Sequence, residues 1–232
     1  MPVTQFFIME TKTTVKCCFC PQLKTRLISI GSSETTKLLP ADYRHNFDSS
    51  YAAVLVLFVF QNGKLSVLLT VRHDSISLHP GEVSLPGGGM EKVDTCVADT
   101  ALREANEEVG LDSNCIQVLW ISGPFQINRN KKPRSLYCVY GFIESDFEIE
   151  MDTNEVVDIF TAELDRFEDN NAEVFTWNGR ITPCVYEKGV FSGKSFRVWG
   201  ATYRICHHTQ QMLSNFDLQP KDYVIPSEHA KL

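Results

Sequence analysis

Arg103-Glu104-Ala105-Asn106-Glu107-Glu108-Val109-Gly110 is the stretch around which the rest of this chain is read. Ala98, Ala101, Leu102, Ala105 and Val109 recur at spacings of three and four, which predicts a helix from Thr95 to Val109 with one apolar face. Asp94 or Thr95 is placed to cap its start, and Gly110 to stop it. On that helix Glu104 lies three residues before Glu107 and four before Glu108, so the three carboxylates crowd the side away from the apolar face. Their repulsion costs roughly 0.2–0.5 kcal/mol per pair at an exposed site. A solvated surface tolerates that, and a divalent cation removes it. Oxygen donors of this kind suit Mg2+, which needs one or two protein carboxylates and completes its shell with water and phosphate oxygens. Arg103 is spaced to pair with Glu107 across one turn, either to orient a ligand or as an ordinary surface ion pair.

Before the helix comes Leu85-Pro86-Gly87-Gly88-Gly89, a strip that lets backbone approach a ligand and offers N–H groups without side chains in the way, or serves simply as a turn. Earlier still, the apolar runs Ala53 to Phe60 and Leu65 to Val71 flank Gln61-Asn62-Gly63-Lys64, a strong hairpin signal. Further strands are expected over Ile116 to Ile121, Leu136 to Ile143, Val174 to Trp177 and Phe196 to Trp199, and helices over Thr161 to Phe167 and Ala201 to Leu213. The fold class this predicts is α/β (α+β), a mixed β-sheet packed between helices. Residues 1–38 read as an N-terminal extension with an apolar patch at Leu27, Ile28 and Ile30, residues 39–216 as the domain, and 217–232 as a tail.

The chain has 232 residues, 43% of them hydrophobic and 22% charged, the balance of a soluble globular protein. A formal net charge of -7 argues against nucleic acid as a partner, while a small phosphorylated substrate needs only a few local cations and a metal. The first residues lack a basic stretch followed by a sustained apolar one, so no secretory signal is expected. The apolar run Ala52 to Phe60 is too short to be a transmembrane segment. Of eight cysteines, Cys17, Cys18 and Cys20 cluster and the others are scattered, which reads as reduced thiols, with a metal or redox role for the cluster as the alternative. The terminal Ala230, Lys231 and Leu232 resemble a Ser-Lys-Leu address, so the peroxisomal import receptor is an expected partner and the peroxisome the expected location.

With these elements in place, the chain resembles the Nudix hydrolase family. That family's box runs Gly, five residues, Glu, seven residues, then Arg-Glu-x-x-Glu-Glu-x-Gly and an aliphatic residue. Its second half is complete here from Arg103 to Leu111. Its first half departs: Asp94 follows Gly88 after five intervening residues where Glu is usual, and eight residues separate it from Arg103. A subgroup acting on coenzyme A and its thioesters has the same lengthening, preceded by Leu-Leu-Thr-x-Arg, a second Arg, Gly and Phe-Pro-Gly-Gly. Here the counterparts are Leu68-Leu69-Thr70-Val71-Arg72, then Gly81 and Leu85-Pro86-Gly87-Gly88. His73, Ser77 and Leu85 depart from the subgroup, Ser77 replacing an Arg that could hold phosphate bidentately. His79 and Arg134 are the nearby basic residues available to stand in for it. Val198-Trp199-Gly200-Ala201-Thr202 resembles a segment near the end of that subgroup's domain, so the resemblance spans about Leu39 to Met212.

The resemblance implies a Nudix-type fold and a reaction that splits the diphosphate of coenzyme A or acyl-coenzyme A into adenosine 3',5'-bisphosphate and 4'-phosphopantetheine or its acyl form. It implies Glu104 and Glu108 as principal ligands of Mg2+ or Mn2+, Glu107 as a further ligand or water-orienting group, and Arg103 as part of the catalytic constellation. Arg72, Gly87 and Gly88 would bind substrate, with Glu155 or Glu82 as general base. Lys131, Lys132 and Arg134 are either a site for the 3'-phosphate or a solvated loop. Aromatic residues around Trp199 and Phe125 either stack on adenine or belong to the core. Two other functions fit the same residues: an NADH or ADP-ribose pyrophosphatase, and a non-catalytic nucleotide-binding protein on a Nudix fold.

Overall fold

The run Ala53 to Phe60 has no polar residue on either face, so a strand built from it must be covered from both sides. The computed structural model, which describes residues 11–17, 21–31, 38–44, 51–77, 79–129 and 132–216, shows how. β1 (Lys12–Val15) and α1 (Pro21–Gly31) precede β2 (Tyr51–Gln61), β3 (Lys64–Arg72), β4 (Val83–Ser84) and β5 (Gly87–Gly89). α2 (Val97–Val109) leads through a 3-10 turn to β6 (Gln117–Arg129), β7 (Lys132–Phe142), β8 (Phe147–Glu150) and β9 (Val156–Glu163). A second 3-10 turn, Leu164–Phe167, is followed by β10 (Glu173–Trp177), β11 (Arg180–Lys188), β12 (Ser195–Trp199) and α3 (Gly200–Ser214).

β2 is the centre of a seven-stranded mixed sheet, parallel to β7 and antiparallel to β3 and β5, with β6 outside β7 and β9 and β4 outside β3. Alternate β2 side chains feed two cores. Val56, Phe58 and Phe60 pack with α1, α3 and Trp120, while Ala53, Leu55, Leu57 and Val59 pack with the apolar face of α2. β10, β11 and β12 form a separate antiparallel sheet, and β1 pairs with β8. The Asn62-Gly63 turn between β2 and β3 has φ of 52° and 76°, the left-handed pair the hairpin requires.

The expected class, a mixed sheet packed between helices, is the one found. Two local expectations are corrected. Thr161 to Phe167 is not helix: β9 runs through Glu163, followed by a 3-10 turn, because Val156, Val157, Ile159 and Thr161 suit a strand and β3 pairs with them. The carboxylate helix starts at Val97, with Cys96 at its N-cap rather than Asp94 or Thr95. Asp99 reaches back to accept from the Thr95 and Cys96 backbone N–H groups at 2.8 and 3.1 Å, filling the capping role. Gly110 ends the helix with φ 68°, as expected.

In the N-terminal patch, Leu27 and Ile30 are fully buried with Leu23, whereas Ile28 points outward because helical spacing puts it on the other face. Cys17, at Cys-x-x-Cys spacing from Cys20, donates its thiol to the Ile143 carbonyl at 3.2 Å; Cys18 and Cys20 lie outside the described residues. No described helix is long and apolar enough to cross a membrane. Because α1 closes one core, Leu27→Ala should destabilise the protein by about 2–4 kcal/mol in urea unfolding. A loss below 0.5 kcal/mol would mean that α1 is not docked.

Candidate active site

β5 is the floor of the site. It pairs with β2, Gly88 opposite Ala53, and α2 lies over it. A Cβ on Gly88 would come within 2.4 Å of the Glu104 carboxylate, so glycine is required there because the helix carboxylate rests on the backbone. The strip thus fixes where Glu104 sits.

The three box glutamates, expected together on a solvated side, are graded in depth instead. Glu107 is 54% exposed, Glu104 16% and Glu108 3%. Glu108 falls at the border of the buried stripe that includes Ala101 and Ala105, so the core faces part of it. The Gly87 backbone N–H donates to its carboxylate, Arg72 Nη1 lies 3.8 Å from its Oε1, and its Oε2 has no hydrogen-bond partner among the described residues. Burial pushes its pKa up to about 8; Arg72 opposes this, and the nearby charges of Glu104 and Glu155 add to it. Glu104 is also shifted upward, again chiefly by burial.

Arg103 braces this cluster. Its guanidinium donates to both oxygens of Asp94 at 3.0 and 3.1 Å, to the Gly89 carbonyl at 2.8 Å, to Glu107 at 2.9 Å and to Glu104 at 3.2 Å. Asp94, itself buried, also accepts from Thr100 Oγ and from the Glu91 N–H. Burial alone would raise its pKa, but Arg103 and these donors outweigh burial and hold it below the usual range. Asp94 is therefore a clamp on Arg103. The spacing of the two residues gave no sign of this, since nine positions apart is not a helical contact.

The donor set fits a hard divalent cation. No three His, Cys, Asp or Glu side chains among the described residues make a closed metal cage. What exists is a pair of carboxylates, Glu104 and Glu108, one with an orphaned buried oxygen. That is the open, carboxylate-poor arrangement Mg2+ tolerates, since water and phosphate oxygens supply the rest.

The NUDIX domain profile matches residues 50–183. The chain belongs to the Nudix hydrolase family. Peroxisomal coenzyme A diphosphatase NUDT7 of Mus musculus is 33% identical over 170 residues, covering 70% of each chain. Nudix hydrolase 15, mitochondrial, of Arabidopsis thaliana is 34% identical over 179 residues, covering 75% of this chain and 61% of that protein. The solved Ap4A hydrolase of C. elegans, in a binary complex, overlays on half of the chain with a TM-score of 0.42 and 20% identity.

Within this Nudix domain the other expected site residues are partly gathered and partly dispersed. Arg72, Gly87 and Gly88 all border Glu104 or Glu108. Glu155 stands in the turn before β9, which is tied to the end of α2 by the Asp152 N–H donating to the Glu108 carbonyl at 3.0 Å. Its charge acts on both Glu104 and Glu108. Glu82 instead pairs with His79 at 2.9 Å, which engages both groups. Ser77 lies in an exposed bend, and Arg134 donates to the Tyr51 carbonyl at 2.5 Å beside Gly89. Lys131, the Lys132 side chain and the terminal Ala230, Lys231 and Leu232 lie outside the described residues. Trp199 packs with Phe175 and Trp177, and Phe125 meets His208, so the two are parts of different aromatic contacts.

The raised pKa of Glu108 has a sign that can be tested without metal. Between about 4.5 and about 8 the folded protein holds a proton that the unfolded chain has lost, so stability falls as pH rises through that window. Glu108→Gln removes the penalty. In metal-free thermal unfolding at pH 8.5, this variant should melt about 3–8 °C above the parent, with the gap closing near pH 4. Equal melting temperatures at pH 8.5 would contradict the burial argument.

Proposed function

We propose that this Nudix hydrolase is a metal-dependent diphosphatase of coenzyme A and acyl-coenzyme A. The observation that carries the reading is the position of Arg72. The residue that ends the coenzyme-A-like element Leu68 to Arg72 faces Glu108 of the Nudix box, 3.8 Å away. The name and identity of the mouse relative support the same substrate.

In this reading Glu104 and Glu108 hold Mg2+ or Mn2+, and Glu107, exposed and oriented by Arg103, acts as a further ligand or aligns water. The metal, when bound, would neutralise charge on the diphosphate and make water more acidic. Arg72 holds a phosphate oxygen through its planar fork, and the Gly87 and Gly88 backbone keeps the floor open to the diphosphate. Arg103 locks the carboxylates in place through Asp94. Glu155 takes the proton from the water that attacks phosphorus, because its charge acts on both box carboxylates while Glu82 is engaged by His79. The bond that breaks joins the adenosine-side and pantetheine-side phosphates, giving adenosine 3',5'-bisphosphate and 4'-phosphopantetheine or its acyl form.

Ser77 favours a second reading. With no arginine in that bend and His79 paired to Glu82, one phosphate contact of the coenzyme A subgroup is missing, which suits NADH or ADP-ribose. The non-catalytic alternative is disfavoured because all three box glutamates are present. We further assign residues 39–216 as the hydrolase domain, 1–38 as an extension and 217–232 as a tail, with Ala230, Lys231 and Leu232 read by the peroxisomal import receptor.

Incubation with coenzyme A, acetyl-coenzyme A, NADH and ADP-ribose, followed by mass spectrometry, separates these readings. Metal-dependent adenosine 3',5'-bisphosphate from the first two is expected; cleavage of NADH or ADP-ribose in preference would overturn the assignment. Glu155→Gln should lower kcat about 10²–10⁴-fold, and Glu82→Gln by less than about threefold. The reverse order would move the base to Glu82.

A further inference from the structure

A cavity of about 770 Å³ lies where the end of β3 meets the turn before β9. Two of its walls are tied to the site through backbone: His73 donates its N–H to the Glu155 carbonyl at 2.7 Å, and Gly81 donates its N–H to the Arg72 carbonyl at 3.2 Å. Val157, Phe191, Lys194 and Phe196 line it as well. Its volume is in the range of small-molecule sites.

One wall is held in place by a device the proposed reaction leaves unexplained. Asp158, fully buried in β9, accepts from the Phe191 N–H at 3.0 Å and from the Ser192 N–H and Oγ at 2.9 and 2.5 Å. A Cβ on Gly189 would come within 2.1 Å of the same carboxylate, so the loop closes tightly on it. A buried carboxylate saturated by loop donors rigidifies the segment that carries Phe191 and Lys194.

The lining selects among the parts of a coenzyme A molecule. Its charged side chains are one acid, Asp74, and one lysine, Lys194, together with His73. Such a balanced wall does not suit a 3'-phosphorylated nucleotide, which calls for several cations. Valines and phenylalanines interspersed with hydroxyls suit a chain of amides and methyl groups, and the volume leaves room for a thioester-linked acyl group.

We infer that this cavity, with its Asp158-pinned loop, takes the pantetheine and acyl arm of the substrate. The inference rests on the coenzyme A reading and adds a specificity site to it. Phe191 and Phe196 contact the arm, and Asp158 is a positioning residue.

The test uses the full chain with Mg2+ and two variants, Phe191→Ala and Thr153→Trp, the latter adding bulk at an exposed turn on the rim where folding is not at risk. Steady-state rates with coenzyme A and dodecanoyl-coenzyme A are compared with competitive inhibition by adenosine 3'-phosphate 5'-diphosphate, which lacks the arm. Both KM values should rise at least fivefold in Thr153→Trp, with kcat within twofold and the inhibitor's Ki unchanged. A smaller rise in KM, or a parallel rise in Ki, overturns the inference while the coenzyme A reading stands. If the parent protein releases no adenosine 3',5'-bisphosphate from coenzyme A, the reading itself fails and the occupant with it.

Discussion

A carboxylate buried with one oxygen unpartnered is the constraint on which the site depends. Glu108 is 3% exposed, receives one backbone N–H and has Arg72 only at 3.8 Å, so its charged form carries a desolvation cost in the folded protein. Such a group persists where something else completes it. In the proposed reading the completing partner would be a divalent cation, and the rest of the local architecture keeps that position open. The glycine floor lets Glu104 lie flat against backbone, and α2 presents both carboxylates from a rigid element rather than a loop.

Arg103 is what makes the arrangement stable without the ion. One guanidinium binds Asp94, Glu104, Glu107 and the Gly89 carbonyl, linking the pre-helix loop, the helix and the floor. The bidentate grip of Asp94 fixes the plane of the fork, a job lysine could not do. Asp94 occupies the position where the family's box usually has Glu, and here its role is mechanical. The same logic recurs in β9, where Asp158 gathers the loop of Phe191 and Ser192. Each is a buried acid whose donors come from elsewhere in the chain.

How much of this was legible in the sequence follows from the range of each interaction. The Asn62-Gly63 turn, the two-sided apolar strand β2 and the stop at Gly110 are local, and each could be read directly. The helix start was misplaced because Asp94 and Thr95 look equally like caps until tertiary contacts draw Asp94 to Arg103 and leave Asp99 to the backbone. The helix expected over Thr161 to Phe167 gives way to the end of β9 and a 3-10 turn because pairing with β3 holds Thr161 to Glu163 in the strand. The carboxylate cluster was visible as residues, but its grading by depth was not, since Glu108 differs from Glu107 only by where the core lies. Asp158 gave no signal at all: nothing near it in sequence hints at a partner more than thirty positions away.

In the proposed site Glu108, the buried glutamate, and not the exposed Glu107, dominates metal binding. Mn2+ titration followed by electron paramagnetic resonance on the parent, Glu108→Gln and Glu107→Gln proteins measures this without substrate or turnover. The account predicts that Glu108→Gln weakens Mn2+ by about a hundredfold or more while Glu107→Gln changes it by less than about tenfold. Equal losses in the two variants, or a larger one in Glu107→Gln, would contradict it.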